Sequence, residues 1–214
     1  MPSRIYAVLI ADIMESSSRA SLRSFLGKEL AGASRKHLHQ KSIKLPYSVT
    51  AGDEFQTVIG DLASTPALIL DLRSALRPLS LRIGVGIGHI SDRIQPPVNR
   101  LSGEAFQFAR RAIESTKRNS LFKFGILTAF QSRNEHFNNT INLVYGLHDT
   151  LVLKIRTKQW ETISRFLVKP TLEQTAKRLR LDTSTVSRNL KRGYYWQLSE
   201  TVNVAGSLIE RTFR

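Results

Sequence analysis

Three glycines occupy every second position of one apolar segment, "SLRIGVGIGHI" at residues 80–90, and this pattern constrains the fold more than any other. Alternate residues of a β-strand face the same side of a sheet, so Gly84, Gly86 and Gly88 share one face. Glycine weakens a strand interior unless something else lies close to it. We therefore predict a strand over which another element packs at unusually short range.

The segments around this strand alternate between strand-like and helix-like hydrophobic patterns. In chain order we predict a buried strand at 5–13, a helix at 18–39, a strand hairpin at 46–51 and 54–60, a helix at 65–76, the strand at 80–90, a helix at 101–118 and a strand at 120–127. The order is β-α-β-β-α-β-α-β, and its first six elements match the split βαβ, or ferredoxin-like, arrangement. The predicted fold class is therefore α/β (α+β), with a small all-α domain following.

The predicted secondary structure and the composition of the chain change near residue 155. Residues 136–155 predict a helix, with apolar residues at steps of three and four, and beyond it the chain is short helices rich in Lys, Arg, Ser and Thr. We expect a palm-like domain at 1–130, a connector at 131–155 and a helical domain at 156–214.

The composition indicates a protein with a packed core and without disulfides or membrane-spanning segments. A hydrophobic content of 41% supports a packed core, and the lack of cysteine rules out disulfides and thiolate metal sites. No stretch approaches the ~18 uncharged apolar residues of a membrane helix. The N-terminal apolar run is interrupted by Asp12 and lacks a cleavage pattern, so we interpret it as a strand and expect a cytoplasmic protein without membrane contact.

The net charge is +15, which favours an anionic partner. Residues 151–214 hold 13 basic and 5 acidic residues, so the excess is densest in the C-terminal segment. A charge excess that serves only solubility is the other interpretation.

Two acidic positions raise the question of metal chemistry. Asp12 ends the first predicted strand, and Asp53 lies at the tip of the hairpin in "SVTAGDEFQTVIG". Gly-Asp between strands is commonly just a turn. In a split βαβ sheet, however, the first and third strands are neighbours, so the two carboxylates can meet and hold Mg²⁺ or Mn²⁺ with phosphate oxygens of a nucleotide. Glu54 receives no role.

Four segments resemble known nucleotide-converting enzymes. "VLIADIMESS", "LRIGVGIGHI" and "SGEAFQFARRAIE" are similar to segments of class III nucleotidyl cyclases, and "TAGDEFQTVIG" resembles both the cyclase hairpin and the GGDEF hairpin of diguanylate cyclases. The matches cover residues 5–118 in the correct order. The resemblance implies metal ligands at Asp12 and Asp53, charge stabilisation on the transferring phosphoryl group by Arg111, and ribose orientation by Gln107. It also implies nucleotide contacts at Gly52, Lys117 and Arg118.

Three positions depart from the cyclase pattern. Ala51 replaces the first glycine of GGDEF, and Val49 and Arg100 stand where adenylyl cyclases carry base-selecting residues. The whole chain resembles the SatD family more closely, in which such a palm-like domain precedes a helix-turn-helix.

The C-terminal segment "TLEQTAKRLRLDTSTVSRNLKRGYYWQL" predicts a helix, a tight turn and a second helix. We expect Thr171 to cap the first helix, Thr183 or Ser184 to cap the second, and Leu179, Leu181 and Val186 to form a buried triangle. The segment resembles the helix-turn-helix of bacterial regulators, although Arg180 replaces the usual turn glycine. Tyr195 and Leu198 are expected to pack the last helix as core.

The second helix of this pair has the composition of a DNA-reading helix. Its N-terminal residues would face base edges and its later cations would meet phosphates. We assign base or near-base contacts to Ser184, Thr185, Ser187 and Arg188, and phosphate contacts to Lys191 and Arg192. A basic helical hairpin that packs a dimer is the structural alternative.

Two functions remain open at this stage. One is a DNA-binding, transcription-regulatory protein whose cyclase-like domain binds a nucleotide or metal or mediates dimerisation. The other is an enzyme, a Mg²⁺-dependent nucleotidyl cyclase or nucleotide polymerase using Asp12 and Asp53, localised by its DNA-binding module. Both predict duplex DNA as a partner and a homodimer, since cyclase sites form between subunits and helix-turn-helix proteins bind paired half-sites.

Overall fold

A computed structural model describes residues 4–14, 20–50, 52–118 and 121–214. Ala51, the polar residues that follow the first strand at 15–19, and the first residue of the strand predicted at 120–127 lie outside the described residues. Within the described part, the chain forms a mixed α+β structure with five strands and eight α-helices. In chain order these are β1 (Ile5–Ile13), α1 (Ala20–His39), β2 (Ser48–Val49), β3 (Phe55–Ile59), α2 (Thr65–Ala75), β4 (Leu81–His89), α3 (Glu104–Arg118), β5 (Thr128–Gln131), α4 (Glu135–Lys154), α5 (Thr157–Val168), α6 (Leu172–Leu179), α7 (Thr183–Arg192) and α8 (Tyr195–Phe213).

The five strands form one mixed sheet in the order β2-β3-β1-β4-β5. β1 is central and runs antiparallel to both β3 and β4, while β5 is parallel to β4. Both faces of β1 are buried, which explains its continuous apolar run. Val8 and Ile10 face α3, and Ala7, Leu9 and Ala11 face a larger core on the other side.

The glycine face of β4 is covered by α3, as the alternation predicted. A Cβ atom built on Gly86 would collide with the backbone of α3 at Ala105 and Ala109, and one on Gly84 would collide with Ile113. Glycine is therefore the residue that allows α3 to lie directly on the strand. This close approach fixes where the side chains of α3 project at the edge of the sheet.

The opposite face of the sheet is shared by elements from both ends of the chain. Its core gathers side chains of α1, α2, α4 and α8, including Ile141 and Tyr145 from α4 and Ala205 and Ile209 from α8. A second core, in the helical part, joins α5, α6, α7 and the start of α8 around Trp160, Ile163 and Leu190.

The strand predicted at 120–127 is wrong, since the fifth strand is Thr128–Gln131. The backbone N–H groups of Leu127 and Thr128 donate to the Asp149 carboxylate of α4, at 2.8 and 2.7 Å. The rings of Phe122 and Phe124 stack on each other, with Phe124 beside Gly146 of α4. The aromatic residues therefore pack on a helix rather than enter the sheet.

Among the described residues, none of the helices has the length and apolar content needed to cross a bilayer.

Candidate functional site

The end of β1 and the start of β3 place two carboxylates on the face of the sheet that α3 covers. The β1–β3 ladder ends at Ala11 opposite Phe55, so Asp12 and Glu54 each lie one residue beyond the last pair. Glu54 is buried, with 8% of its surface exposed. A buried carboxylate requires a positive or hydrogen-bonding partner, because burial without one is costly.

Helix α3 supplies a cation to each carboxylate. Arg110 donates from Nη1 to Oε2 of Glu54 at 2.6 Å and from Nη2 to Oε1 at 2.7 Å. Two turns further along the same helix face, Nζ of Lys117 lies 3.3 Å from Oδ2 of Asp12. Burial acts to raise the pKa of Glu54, but the hydrogen bonds and charge of Arg110, aided by Lys117 and Thr50, hold that pKa below its usual value.

The other residues that the cyclase resemblance singled out do not join this cluster. Gly52 is exposed in the hairpin turn with φ of 62°, and Asp53 beside it is half-buried and forms no ion pair or hydrogen bond with any described residue. Gln107, Arg111 and Arg118 are exposed on α3. The guanidinium of Arg111 lies 6.0 Å from the ring centre of Phe108, on its own helix.

Of the predicted set, the structure therefore brings together Asp12 and Lys117. It adds Glu54 and Arg110, which sequence reasoning left without a role. The signal available in the sequence was the position of Glu54, one residue before the fully buried Phe55, where a carboxylate needs a cation. Arg110 is next to Arg111, and only the rotation of α3 on the glycine face decides which of the two reaches the sheet.

A divalent cation is not needed to neutralise these carboxylates. Both oxygens of Glu54 accept from Arg110, and Asp12 already faces Lys117. Within the ranges the structure describes, no group of three or more His, Cys, Asp or Glu side chains is arranged to hold a metal ion. Glu54 and Asp12 are thus neutralised by cations of α3, whereas metal ligation by Asp12 and Asp53 is an untested prediction.

Helix α6 of the C-terminal pair has a side-chain cap at its start and a left-handed residue at its end. The side chain of Thr171 accepts from the backbone N–H of Gln174, so this residue caps α6 as predicted. Arg180 is the C-cap of α6 and adopts the left-handed conformation, with φ of 54° and ψ of 46°. Glycine is the usual residue in this conformation at the end of a helix. The N-cap of α7 is Asp182, so the prediction of Thr183 or Ser184 is wrong by one or two residues.

Helix α7 has one buried face and one exposed face. Val186 and Leu190 are buried with Ala176 of α6 in the helical core. Leu181, predicted to belong to this core, is 40% exposed because it lies in the turn after Arg180. The exposed face carries five of the six predicted DNA contacts, namely Ser184, Ser187, Arg188, Lys191 and Arg192.

The sixth predicted contact, Thr185, is partly buried and organises its neighbour. Nη2 of Arg188 donates to Oγ1 of Thr185 at 3.1 Å, which holds the guanidinium along the first two turns of α7. Lys191 and Arg192 form no ion pair with any residue in the described part of the chain. Their charges are therefore available to an outside partner.

Helix α5 is hydrogen-bonded to α7 and packs against the start of α8. Nδ2 of Asn189 donates to Oγ1 of Thr162 on α5 at 3.1 Å. Tyr195, at the start of α8, packs edge-to-face on Phe166 of α5 at 5.0 Å between ring centres, and Leu198 is fully buried, so both are core residues as predicted.

The fold and these two sites define a mixed α+β protein with a carboxylate–cation cluster at a sheet edge and a basic helical pair. The chain belongs to the SatD family, whose sequence model matches residues 6–203. No curated protein sequence matches it. A solved structure described as a regulator of polyketide synthase expression from Bifidobacterium adolescentis is similar at 16% identity, covering 98% of this chain and 86% of that one, with a TM-score of 0.29. A TM-score this low carries no argument about fold or function.

Proposed function

We propose that this protein binds duplex DNA through α7 and acts as a regulatory protein. The main support for this proposal is that α7 has one buried face and one exposed face. Val186 and Leu190 hold the helix on the protein, while serine, arginine and lysine side chains face outward. A helix presented in this way fits the major groove with its N-terminal residues towards the base edges.

The charges around α7 support the same proposal. Lys177, Arg178 and Arg180 of the preceding helix and turn are exposed, as are Lys191 and Arg192. Cations that meet phosphates give affinity and salt dependence without sequence choice. Arg188 has the planar donor group that reads guanine in the groove, and Ser184 and Ser187 can contact either bases or phosphates.

The sheet supports the finer description of the first half of the chain as ferredoxin-like and palm-like. Strands β2, β3, β1 and β4 lie in the order of the split βαβ arrangement, with α1 and α2 as its two helices. We propose that this half supports the helical pair and contributes to a homodimer, which would present two α7 helices to paired half-sites.

The experiment that tests the proposal is a gel-shift titration of the full chain with a mixed-sequence DNA duplex at low salt. We expect the wild-type protein to retard the duplex and the Arg188→Ala/Lys191→Ala variant to bind at least about tenfold more weakly, because each lost contact costs on the order of 1 kcal/mol or more.

The matched control removes the same two charges from another face of the molecule. Lys28 and Arg35 are exposed on α1, so Lys28→Ala/Arg35→Ala lowers the net charge equally without touching α7. Equal loss of binding in both variants would show that total charge, rather than α7, carries the interaction. Unchanged binding in the α7 variant would remove α7 as the DNA contact.

A further inference from the structure

A cleft of about 660 Å³ lies between the α/β half and the helical half of the molecule, away from both sites described above. Its walls come from α1, from the end of α2 with the turn that follows, and from α5. The volume is within the range of pockets that hold small organic ligands, which commonly lie between structural units. Oγ of Ser74 donates to Oγ of Ser164 at 2.7 Å across it, so the two walls are already held together.

Four charged side chains line this cleft and do not neutralise one another. They are Glu29 from α1, Arg77 from the turn after α2, and Glu161 and Arg165 from α5. Across the described residues, none of the four forms an ion pair or a hydrogen bond through its side chain. Two positive and two negative groups therefore face one space and remain available to a ligand.

Trp160 adds a buried donor without an acceptor. The residue is 2% exposed, and its Nε1 has no hydrogen-bond partner among the described residues. The guanidinium of Arg77 lies 4.4 Å from the centre of the indole ring. Burial, together with the nearby charge of Arg73, lowers the pKa of Arg77 to about 10. The guanidinium of Arg77, which has no anionic partner among the described residues, gains from an incoming anionic acceptor.

We propose that this cleft binds a small zwitterion, a molecule with one carboxylate and one ammonium group, such as a free amino acid. The carboxylate would accept from Arg77 and Arg165, and the ammonium would lie towards Glu29 and Glu161. A simple anion would leave two carboxylates unmatched and a simple cation would leave two guanidinium groups unmatched. A ligand of zero net charge matches a lining of zero net charge.

Ligand binding in the cleft is independent of DNA binding. The two sites are nevertheless connected, because α5 forms one wall of the cleft and also holds α7 through Thr162 and Asn189. Occupancy of the cleft would brace α5 and so bias the position of α7.

The test is isothermal titration calorimetry of the full-length protein with each standard L-amino acid in turn. We expect at least one to bind with a stoichiometry of one per chain. Its N-acetyl and C-terminal amide derivatives are expected to bind at least about tenfold more weakly, since each lacks one of the two charges. Arg77→Gln should weaken binding to a similar extent, whereas Lys158→Gln, an exposed α5 residue outside the cleft, should leave it unchanged.

Glu161→Gln serves as the second variant, because Glu161 is exposed and has no ion pair among the described residues. Its loss should weaken the ammonium contact with little effect on stability. The proposal is overturned if no amino acid binds at millimolar concentration to protein that shows a normal unfolding transition. It is equally overturned if binding survives both Arg77→Gln and Glu161→Gln, or requires only one of the two ligand charges. Failure of DNA binding in the gel-shift experiment would leave these outcomes untouched.

Discussion

Arg110 and Glu54 form a two-bond ion pair at the junction of β3 and α3, with the carboxylate buried and the guanidinium half-exposed. Removing one partner of such a pair leaves the other desolvated without compensation. We expect Arg110→Gln to lower the free energy of unfolding by about 1–3 kcal/mol at neutral pH, measured by urea denaturation. The neighbouring Arg111→Gln, whose guanidinium makes no contact with an acidic side chain in the described residues, is the control and should cost little.

The same pair sets a pH dependence with a definite sign. The pKa of Glu54 is lowered in the folded protein, so its stabilising effect is present above the unfolded pKa of about 4.3 and is lost as the pH falls through the folded value. In the Arg110→Gln variant, the hydrogen bonds and charge that lower the pKa of Glu54 are lost, so burial shifts that pKa upward. The stability difference between the two proteins should therefore be largest near pH 7 and shrink below about pH 4. A difference that stays constant with pH would contradict this assignment.

Metal binding is tested at the same residues. Because Lys117 and Arg110 already neutralise Asp12 and Glu54, we expect Mg²⁺ and Mn²⁺ to leave the melting temperature unchanged. We also expect incubation with each nucleoside triphosphate and Mn²⁺ to give no cyclic or oligomeric product. A product that is abolished by Asp53→Asn would instead support the enzyme hypothesis and return Asp12 and Asp53 to the role of ligands.

Single residues were the hardest part to predict from sequence. The pattern of apolar residues located Asp12 at the end of a buried strand, and the register then placed Glu54 beside it. No local pattern distinguishes Arg110 from Arg111, however, because that choice depends on the rotation of α3 against β4. Similarly, Arg180 adopts the αL conformation at the C-cap of α6, where local preference favours glycine.

At the level of elements, the contact between α3 and β4 positions the carboxylate cluster. A methyl group on Gly86 would meet the backbone of α3 at Ala105 and Ala109, so we expect Gly86→Ala to destabilise the protein by at least about 1–3 kcal/mol, as overpacking does. Thermal or urea unfolding measures this directly.

Gly32 offers a matched control for the same substitution. It lies within α1, and a Cβ there meets nothing within 4 Å, so Gly32→Ala should be stabilising by about 0.5–1 kcal/mol through helix propensity. If both variants behaved alike, close packing at Gly86 would not be the reason for its glycine.

Elements with strong periodicity were predictable and elements set by long-range contacts were not. The order of strands and helices through α3 followed from hydrophobic period and from glycine spacing. The segment at 121–127 has strand-like composition. At its end, however, the backbone N–H groups of Leu127 and Thr128 donate to the carboxylate of Asp149, more than twenty residues further along the chain. Helix α4 was predicted, but its buried face includes Asn138, Asn142 and Asp149, polar residues that a search for apolar stripes does not find.

At the scale of the whole molecule, α8 takes part in both the helical core and the core beneath the sheet. It begins in the helical core at Leu198 and ends in the sheet core, where Ala205 and Ile209 pack. Phe213 meets Phe137 of α4 edge-to-face at 4.9 Å. The boundary near residue 155 that the sequence suggested stays a prediction, and the packing of α8 provides a test of it.

We expect unfolding to be a single cooperative transition. Trp160 and Trp196 both lie in the helical part, so their fluorescence reports on that part while far-ultraviolet circular dichroism reports on the whole chain. The two midpoints should coincide. Ile209→Ala opens a cavity near the end of α8 and should lower the free energy of unfolding by about 2–4 kcal/mol. The midpoints from fluorescence and from circular dichroism should shift together. Two separate transitions would instead show that the halves fold independently.

In the proposed complex, the exposed cations of α7 contact the phosphates of duplex DNA. The most direct measurement is the salt dependence of binding, by fluorescence anisotropy of a labelled duplex, for the wild-type protein and for Lys191→Gln/Arg192→Gln. Each lost phosphate contact should reduce the slope of log K against log salt concentration by about 0.9. The slope for the variant should therefore be shallower by about 1.8, with weaker binding at every salt concentration. Equal slopes for the two proteins, or no binding by the wild-type protein at low salt, would contradict it.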